Sequence, residues 1–362
     1  MVDIVGQYSI ISDMPVSLVT GACGFTGSHM VETLVRAGHH VRATDLAEAY
    51  EKDDPERGRF PGVLKKLGVT FVPANLTHLE EVPRLLEGVD FVFHVAAIFS
   101  YSAPWELLHR VNVEGTRHLC EAILAHRKSA RLVCWGAGGV YATLPPGRML
   151  RVPIAEGDPE APINKYLRSK WEQEQSVLER QRTRGLKASL LRPFTVYGPR
   201  GVYGGAQMIL HFAKAQRPLI PKNFTARLPF SHVEDVCRAA LFIAERDDTI
   251  GEIYNIVDDS AYSLAEFIRI VASFSGHRSY TIFPVPIWLL RQGGYLAAIA
   301  ARWISLLTHK PPLVEYDAIK LVGVDHWYSN AKLKNLGFQL NYPDAGEGLR
   351  QTIDWYKKEG WL

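Results

Sequence analysis

The sequence predicts an α/β fold: a doubly wound parallel sheet followed by a smaller carboxyl-terminal α/β lobe. Three observations carry this expectation. Short apolar runs alternate with segments of helical period from Val16 onward, a glycine-rich turn joins the first run to the first helix, and the alternation grows less regular beyond residue 200. Residues 1–200, with contributions from 230–258, are assigned to the first domain and 201–362 mainly to the lobe.

Val16-Ser17-Leu18-Val19-Thr20 is the first run, and it ends in Gly21-Ala22-Cys23-Gly24-Phe25-Thr26-Gly27. Met30, Val31, Leu34 and Val35 then recur with helical spacing up to Gly38, and a second strand, His40 to Thr44, delivers Asp45. One glycine allows the tight turn, one lets backbone N–H groups approach a pyrophosphate, and one lets helix and sheet pack closely. The spacing is G-x-x-G-x-x-G rather than G-x-G-x-x-G, so the strand before and the helix after carry the assignment to a Rossmann-type dinucleotide site. Gly21, Gly24 and Gly27 form its turn. Asp45 accepts hydrogen bonds from the adenosine ribose and repels a 2'-phosphate, which favours NAD over NADP. Arg42 points to the opposite face of the strand.

After a charged loop, a strand from Val69 to Val72 leads to Asn75-Leu76, where a polar side chain can meet adenine. A helix from Leu79 to Leu86 precedes the strand Asp90 to His94. Ala96-Ala97 follows, small enough either to let a ribose lie against the backbone or simply to pack closely. Trp105 to His126 reads as one long helix, with Asn112 polar on its apolar face, either for catalysis or to tie down backbone. The strand Arg131 to Trp135 ends in the turn Gly136-Ala137-Gly138-Gly139, and a Pro-rich loop runs from Pro145 to Pro162.

Asn164 begins a helix that places Tyr166 and Lys170 on one face. A free tyrosine titrates near 10, and a neighbouring ammonium moves it toward use as a general base. A second Tyr-x-x-x-Lys, Tyr316 and Lys320, lacks the flanking central strands, so position selects the first copy. The strand Ala188 to Arg192 runs into Pro193, at a carboxyl end where open parallel sheets bind ligands. Phe230 to Val236 opens a helix, Gly251 to Val257 is a strand, and Leu264 to Phe274 is a helix.

Composition narrows the function. A chain of 362 residues, 47% hydrophobic and 22% charged, buries a substantial core, and a net charge of +3 with no basic block gives no reason to expect nucleic acid. Cys23, Cys120, Cys134 and Cys237 lie far apart, so neither disulfides nor a metal site is expected. Met1 to Pro15 lacks a secretory pattern, and a cytoplasmic location is the expectation.

The glycine turn, Asp45, Asn112, Tyr166 with Lys170, and Leu191-Arg192-Pro193 through Val196-Tyr197-Gly198-Pro199 together resemble the extended short-chain dehydrogenase/reductase superfamily, of the epimerase/dehydratase type, over nearly the whole chain. The resemblance implies that Tyr166 transfers the proton, Lys170 holds the nicotinamide ribose and tunes Tyr166, and Asn112 supports a proton relay. It implies that Gly24, Phe25, Thr26, Asn75, Leu76, Ala97 and Pro193 line NAD, with Ala96 beside them, and that the chain forms a homodimer.

The segment 284–312 and His326-Trp327-Tyr328-Ser329 look like the 3β-hydroxysteroid dehydrogenase branch, including sterol 4-carboxylate 3-dehydrogenases. That branch implies NAD-dependent oxidation of a secondary alcohol on a sterol-like or other large apolar small-molecule substrate. Nucleotide-sugar epimerases and dehydratases are the alternative, although relatives with those substrates commonly carry Asn where Thr195 stands. Arg291 and Arg302 share a narrow polar stripe, so the segment is too interrupted to span a bilayer. Lying peripherally on a membrane, roofing an apolar pocket and packing on the domain or a partner all remain open to it.

One departure stands out. The family places Ser or Thr in the turn after Trp135, and here that position is Ala137. Losing such a donor costs about a hundred- to a thousandfold in rate. Either another hydroxyl (Thr143, Ser100 or Tyr101) takes its place, or Tyr166 acts alone, or the protein binds NAD without turnover. The glycines around Ala137 are expected to leave room for a bulky ring system.

Overall fold

The computed structural model describes residues 14–141, 152–308 and 316–362. Strand β1 (Val16–Thr20), helix α1 (Phe25–Arg36) and strand β2 (His40–Thr44) open the chain. Helix α2 (Pro61–Leu67), strands β3 (Thr70–Phe71) and β4 (Phe91–His94), and helices α3 (Trp105–Leu108) and α4 (Gly115–His126) come next. Strand β5 (Arg131–Trp135), helix α5 (Lys165–Arg184) and strand β6 (Ala188–Pro193) complete the regular alternation.

The remainder is built from β7 (Thr195–Tyr197), α6 (Gly205–Lys214), β8 (Leu219–Pro221), β9 (Phe230–His232), α7 (Val233–Ala244) and β10 (Ile253–Ile256). Helix α8 (Leu264–Phe274), strand β11 (Tyr280–Ile282) and helices α9 (Ile287–Thr308), α10 (Ala331–Asn335) and α11 (Ala345–Lys358) finish it.

Seven strands form one parallel sheet in the order β10-β6-β5-β4-β1-β2-β3. Chain direction across the sheet reverses between β1 and β4, which opens a crevice at their carboxyl ends. Strand alternation supplies both faces. Leu18, Val92, Leu132 and Leu190 face the layer holding Leu119, Ile123 and Val177, while Val19, Phe93, Val133 and Leu191 face Met30, Leu34, Val236 and Ile243. All of these are fully buried, each stabilising the fold by roughly 1.5–3 kcal/mol. A separate cluster around Phe230, Phe267, Leu349 and Tyr356 joins β9, α8 and α11 in the carboxyl-terminal part.

Four elements differ from expectation. Phe230 to His232, expected to open a helix, is strand β9, and α7 starts only at Val233. The helix expected over Leu79 to Leu86 is two 3-10 turns, Leu79–Glu81 and Pro83–Leu85, because the Pro83 ring would strike the Leu79 carbonyl in an α-helix. The third strand is only Thr70–Phe71, an edge strand stopped before Pro73. The rod from Trp105 to His126 carries a π-helical stretch, His109–Glu114, where Asn112 turns its amide out of the rod's own hydrogen-bond ladder to reach Ile98 and Ser169.

A directed hydrogen-bond chain ties β1, β4 and the rod together. Thr116 Oγ1 donates to Asn112 O at 2.7 Å, so it accepts from His94 Nε2, also at 2.7 Å. His94 Nδ1 then accepts from Thr20 Oγ1 at 2.8 Å, and Thr20 Oγ1 accepts from Ala96 N at 3.2 Å. His94 is 1% exposed, and burial pushes its pKa down to about 3. The unfolded imidazole takes a proton near pH 6.5 that the folded one refuses, so this contribution is intact above about pH 6.5 and is lost as pH falls toward 3. Between pH 7 and pH 5 the loss is about 2 kcal/mol. Urea denaturation at the two pH values is expected to show the stability difference shrink by that amount in His94→Gln.

Candidate active site

The carboxyl ends of β1, β2, β4, β5 and β6 open into a cleft of about 2520 Å³. An ordinary ligand pocket is roughly 300–1,000 Å³, so this one has room for a dinucleotide and a second molecule. Gly21, Gly24, Phe25, Thr26, Gly27, Asp45, Asn75, Leu76, Ala96, Ala97 and Pro193 all line it, as do Tyr166, Lys170 and Ala137. Asn112 does not.

At one end the backbone forms a cradle. Gly21 has φ +66°, and a Cβ there would fall 2.8 Å from Ala96 Cα; a Cβ on Gly27 would fall 2.0 Å from Gly21 O. Helix α1 starts at Gly24 with no side-chain cap, which leaves its first-turn N–H groups for an anion. Asp45 Oδ2 accepts from Cys23 N at 3.0 Å and Oδ1 from Leu46 N at 2.9 Å. Burial pushes the Asp45 carboxyl up and these two N–H groups pull it back, while each oxygen keeps a lone pair for a ribose hydroxyl. Arg42 is turned away, donating to Leu85 O and Glu87 O at 2.7 and 2.8 Å. Asn75 Oδ1 is occupied by the Thr77 N–H and hydroxyl. A donor-rich turn with a carboxylate beyond it fits a dinucleotide without a 2'-phosphate.

At the other end, Asn164 Oδ1 caps α5 by accepting from Leu167 N at 2.8 Å, which orients its first turn. Tyr166 is 9% exposed and meets the rings of Phe99 and Tyr101 with centroids 4.9 and 5.8 Å away. Burial, then Tyr101, Tyr203 and Glu174, push its phenol well above the usual tyrosine range. Lys170 Nζ donates to Trp135 O at 2.6 Å, and burial draws its pKa down. Burial, rather than the ammonium, therefore sets the phenol in the cofactor-free chain. Asn112 Oδ1 accepts from Ile98 N at 2.8 Å, and its Nδ2 donates to Ile98 O and Ser169 Oγ at 3.2 and 3.0 Å. Its amide thus ties the segment after β4 to α5. Tyr316, of the second Tyr-x-x-x-Lys, sits half-exposed on a 3-10 turn against the Tyr295 ring.

The turn around Ala137 rests on charges that the sequence reading overlooked. Glu174 Oε1 accepts from Ala137 N at 3.2 Å, and Oε2 accepts from Arg192 Nε and Nη2 at 3.0 and 2.6 Å; Glu160 is the second carboxylate on Arg192. Glu174 and Arg192 are both fully buried. Glu174 lies four residues beyond Lys170 on the same helical face, a spacing legible in the chain. The room expected at the glycines is filled by the protein itself. A Cβ on Gly136 would fall 2.0 Å from Glu174 Oε1, on Gly138 2.2 Å from the Phe194 ring, and on Gly139 2.9 Å from Leu167.

Of the three substitute hydroxyls, Thr143 lies outside the described residues. Ser100 Oγ accepts from Ser102 N and Ala103 N within its own turn. Tyr101 faces Tyr166. No group of metal-binding side chains occurs among the described residues.

A family model for the NAD dependent epimerase/dehydratase family matches residues 17–257. The 3beta-hydroxysteroid-dehydrogenase/decarboxylase isoform 1 of Arabidopsis thaliana is 27% identical over 356 residues, covering 93% of this chain and 78% of that protein. The UDP-N-acetyl-alpha-D-glucosaminuronate decarboxylase of Bacillus cytotoxicus is 25% identical, covering 94% and 97%. The crystal structure of the Thermus thermophilus UDP-glucose 4-epimerase in complex with NAD superposes with a TM-score of 0.68 at 24% identity, covering 94% and 99%.

Removing one partner of a buried ion pair leaves a charge that water cannot reach. Glu174→Ala is expected to lower the unfolding free energy by about 3 kcal/mol, read by urea denaturation, with Glu160 retaining part of the Arg192 charge balance.

Proposed function

Because the chain belongs to the NAD-dependent epimerase/dehydratase family and its cofactor is NAD, we propose that it oxidises a secondary alcohol, the 3β-hydroxyl of a sterol-like or other large apolar substrate. The observation that carries this reading is the wall of the cleft beyond Tyr166. Phe99, Tyr101, Phe194, Met208, Leu228 and Val322 line it. An apolar body buried there gains about 25 cal/mol for each Å² removed from water, whereas a sugar diphosphate requires cations. Arg227, next in sequence to the lining residues Ala226 and Leu228, is committed to Asp325 at 2.5 Å, which leaves Lys214 on α6 as a cation lining this part of the cleft.

Bound NAD supplies the hydride acceptor. Tyr166 takes the alcohol proton as the carbinol hydride leaves. Lys170, anchored on Trp135 O, keeps two N–H donors for the cofactor ribose. The Tyr101 hydroxyl donates to the reacting oxygen in place of the side chain that Ala137 lacks, a role supported by its ring contact with Tyr166. A carboxylate on the carbon next to the new ketone would depart from this β-keto acid as CO2, the pair of the broken C–C bond passing into the enolate of the remaining ketone, which then takes up a proton. The Bacillus relative supports a second reading, a nucleotide-sugar enzyme that returns the hydride within one turnover.

Incubation with NAD separates the readings. A 3β-hydroxysteroid panel is expected to accumulate NADH, and UDP-sugars are not. Tyr166→Phe is expected to lower kcat by about a thousandfold and Tyr101→Phe by about a hundredfold, with Ala137→Ser restoring much of the latter. An unchanged kcat in Tyr101→Phe would remove that residue from the reaction, and turnover indifferent to all three changes would leave a binding protein only. Since burial raises the Tyr166 phenol and oxidation needs its ionised form, the oxidation rate should climb as pH rises through neutrality, whereas ketone reduction should not.

A further inference from the structure

The segment His326-Trp327-Tyr328-Ser329 is held extended beside Ile154, which donates its N–H to Trp327 O at 2.9 Å and accepts at its own carbonyl from Ser329 N at 2.8 Å. Alternation along an extended chain puts His326 and Tyr328 on one side and Trp327 on the other, where the Arg227 guanidinium covers its ring at 5.3 Å. His326 and Tyr328 both line the cleft. Tyr328 packs on Phe194 with ring centroids 3.8 Å apart, and Phe194 fills the space beside Gly138. The two side chains therefore stand beyond Phe194 from the turn that carries Ala137.

Counting hydrogens shows that this pair has one to spare. His326 Nδ1 and the Tyr328 hydroxyl are 3.2 Å apart, and among the described residues the hydroxyl bonds to His326 alone. Burial pushes the His326 pKa down to about 4, so at neutral pH the imidazole is uncharged and carries a single N–H. The phenol supplies a second hydrogen, and their mutual bond uses only one. If the phenol donates to Nδ1, the Nε2–H is left over; if Nδ1–H donates, the phenolic hydrogen is left over. Nε2 is buried and has no partner among the described residues. A buried donor without an acceptor is costly. The surroundings select the acceptor. Arg227, whose carbonyl accepts from His326 N at 3.2 Å, gives its guanidinium to Asp325 Oδ1 and Oδ2 at 2.9 and 2.5 Å. With that ion pair balanced and the imidazole neutral, the pair offers a hydrogen without a charge, which suits a neutral oxygen. We propose that His326 and Tyr328 determine specificity, together donating one hydrogen bond to a neutral carbonyl or ether oxygen at the end of the substrate remote from the reacting hydroxyl. The proposal rests on the dehydrogenase reading and narrows its substrate to a rigid apolar body with an oxygen at each end.

The test is a ratio of affinities. The full chain loaded with NADH, which cannot oxidise an alcohol, is titrated by equilibrium dialysis with a 3β-hydroxysteroid bearing a ketone on its distal ring, and with the same steroid lacking that oxygen. The ketone is expected to bind about tenfold more tightly. In the double variant His326→Phe/Tyr328→Phe the ratio should fall to about one, and at least one of the single variants His326→Phe and Tyr328→Phe should lower it as well, which keeps the result readable if the double variant does not fold. Equal affinity for the two steroids in the wild type, or an undiminished ratio in every folded variant, would overturn the proposal. NADH accumulation by the NAD-loaded wild type is followed separately. A preference for the ketone without NADH would end the dehydrogenase reading and leave the subsite standing; NADH without a preference would do the reverse.

Discussion

Helix α1 begins beneath the Gly21 carbonyl only because Gly27 has no side chain; a single carbon there would sit 2.0 Å from that oxygen. The same closeness draws Gly21 against Ala96 at the end of β4. The two strands flanking the crevice are thus held at backbone contact, and the cleft has a fixed floor. Asp45, presented by the next strand, and Tyr166, presented from α5 across the sheet, are placed relative to that floor. Steric exclusion at two glycines therefore sets the frame on which the polar chemistry is arranged.

Around the phenol, the protein relies on apolar packing. Ala137 contributes a methyl to a cluster with Leu108, Val140, Tyr166 and Leu167. The charge lies one layer back, at Glu174, which pairs with Arg192 and holds the turn by its backbone N–H. Glu174 also adds, after burial and the neighbouring tyrosines, to the phenol's resistance to ionisation.

Much of this was legible in the chain. Short apolar runs in β1, β4, β5 and β6 announce a sheet covered on both faces, and the Gly21 to Gly27 turn with Asp45 announces the dinucleotide end. Pairwise spacing also puts Tyr166 and Lys170 on one helical face. What the sequence conceals is contact between distant segments. That Phe194 fills the space beside Gly138, and that Asn112 reaches back to Ile98, depends on how loops after different strands meet. Glycine in a turn reads as openness, yet the opening is occupied by neighbours from elsewhere in the chain. Pro83 is the reverse case, a local rule overridden by reading the apolar spacing alone.

The four-residue turn after β5 is unequal in its freedom to change. Glu174, Phe194 and Leu167 stand where side chains at 136, 138 and 139 would go, so any residue but glycine there requires a neighbour to shift. Residue 137 already carries a Cβ, packed with Leu108, Val140, Tyr166 and Leu167. Alanine codons lie one base change from those of serine and threonine, so a lineage could gain or surrender the hydroxyl in a single mutational step.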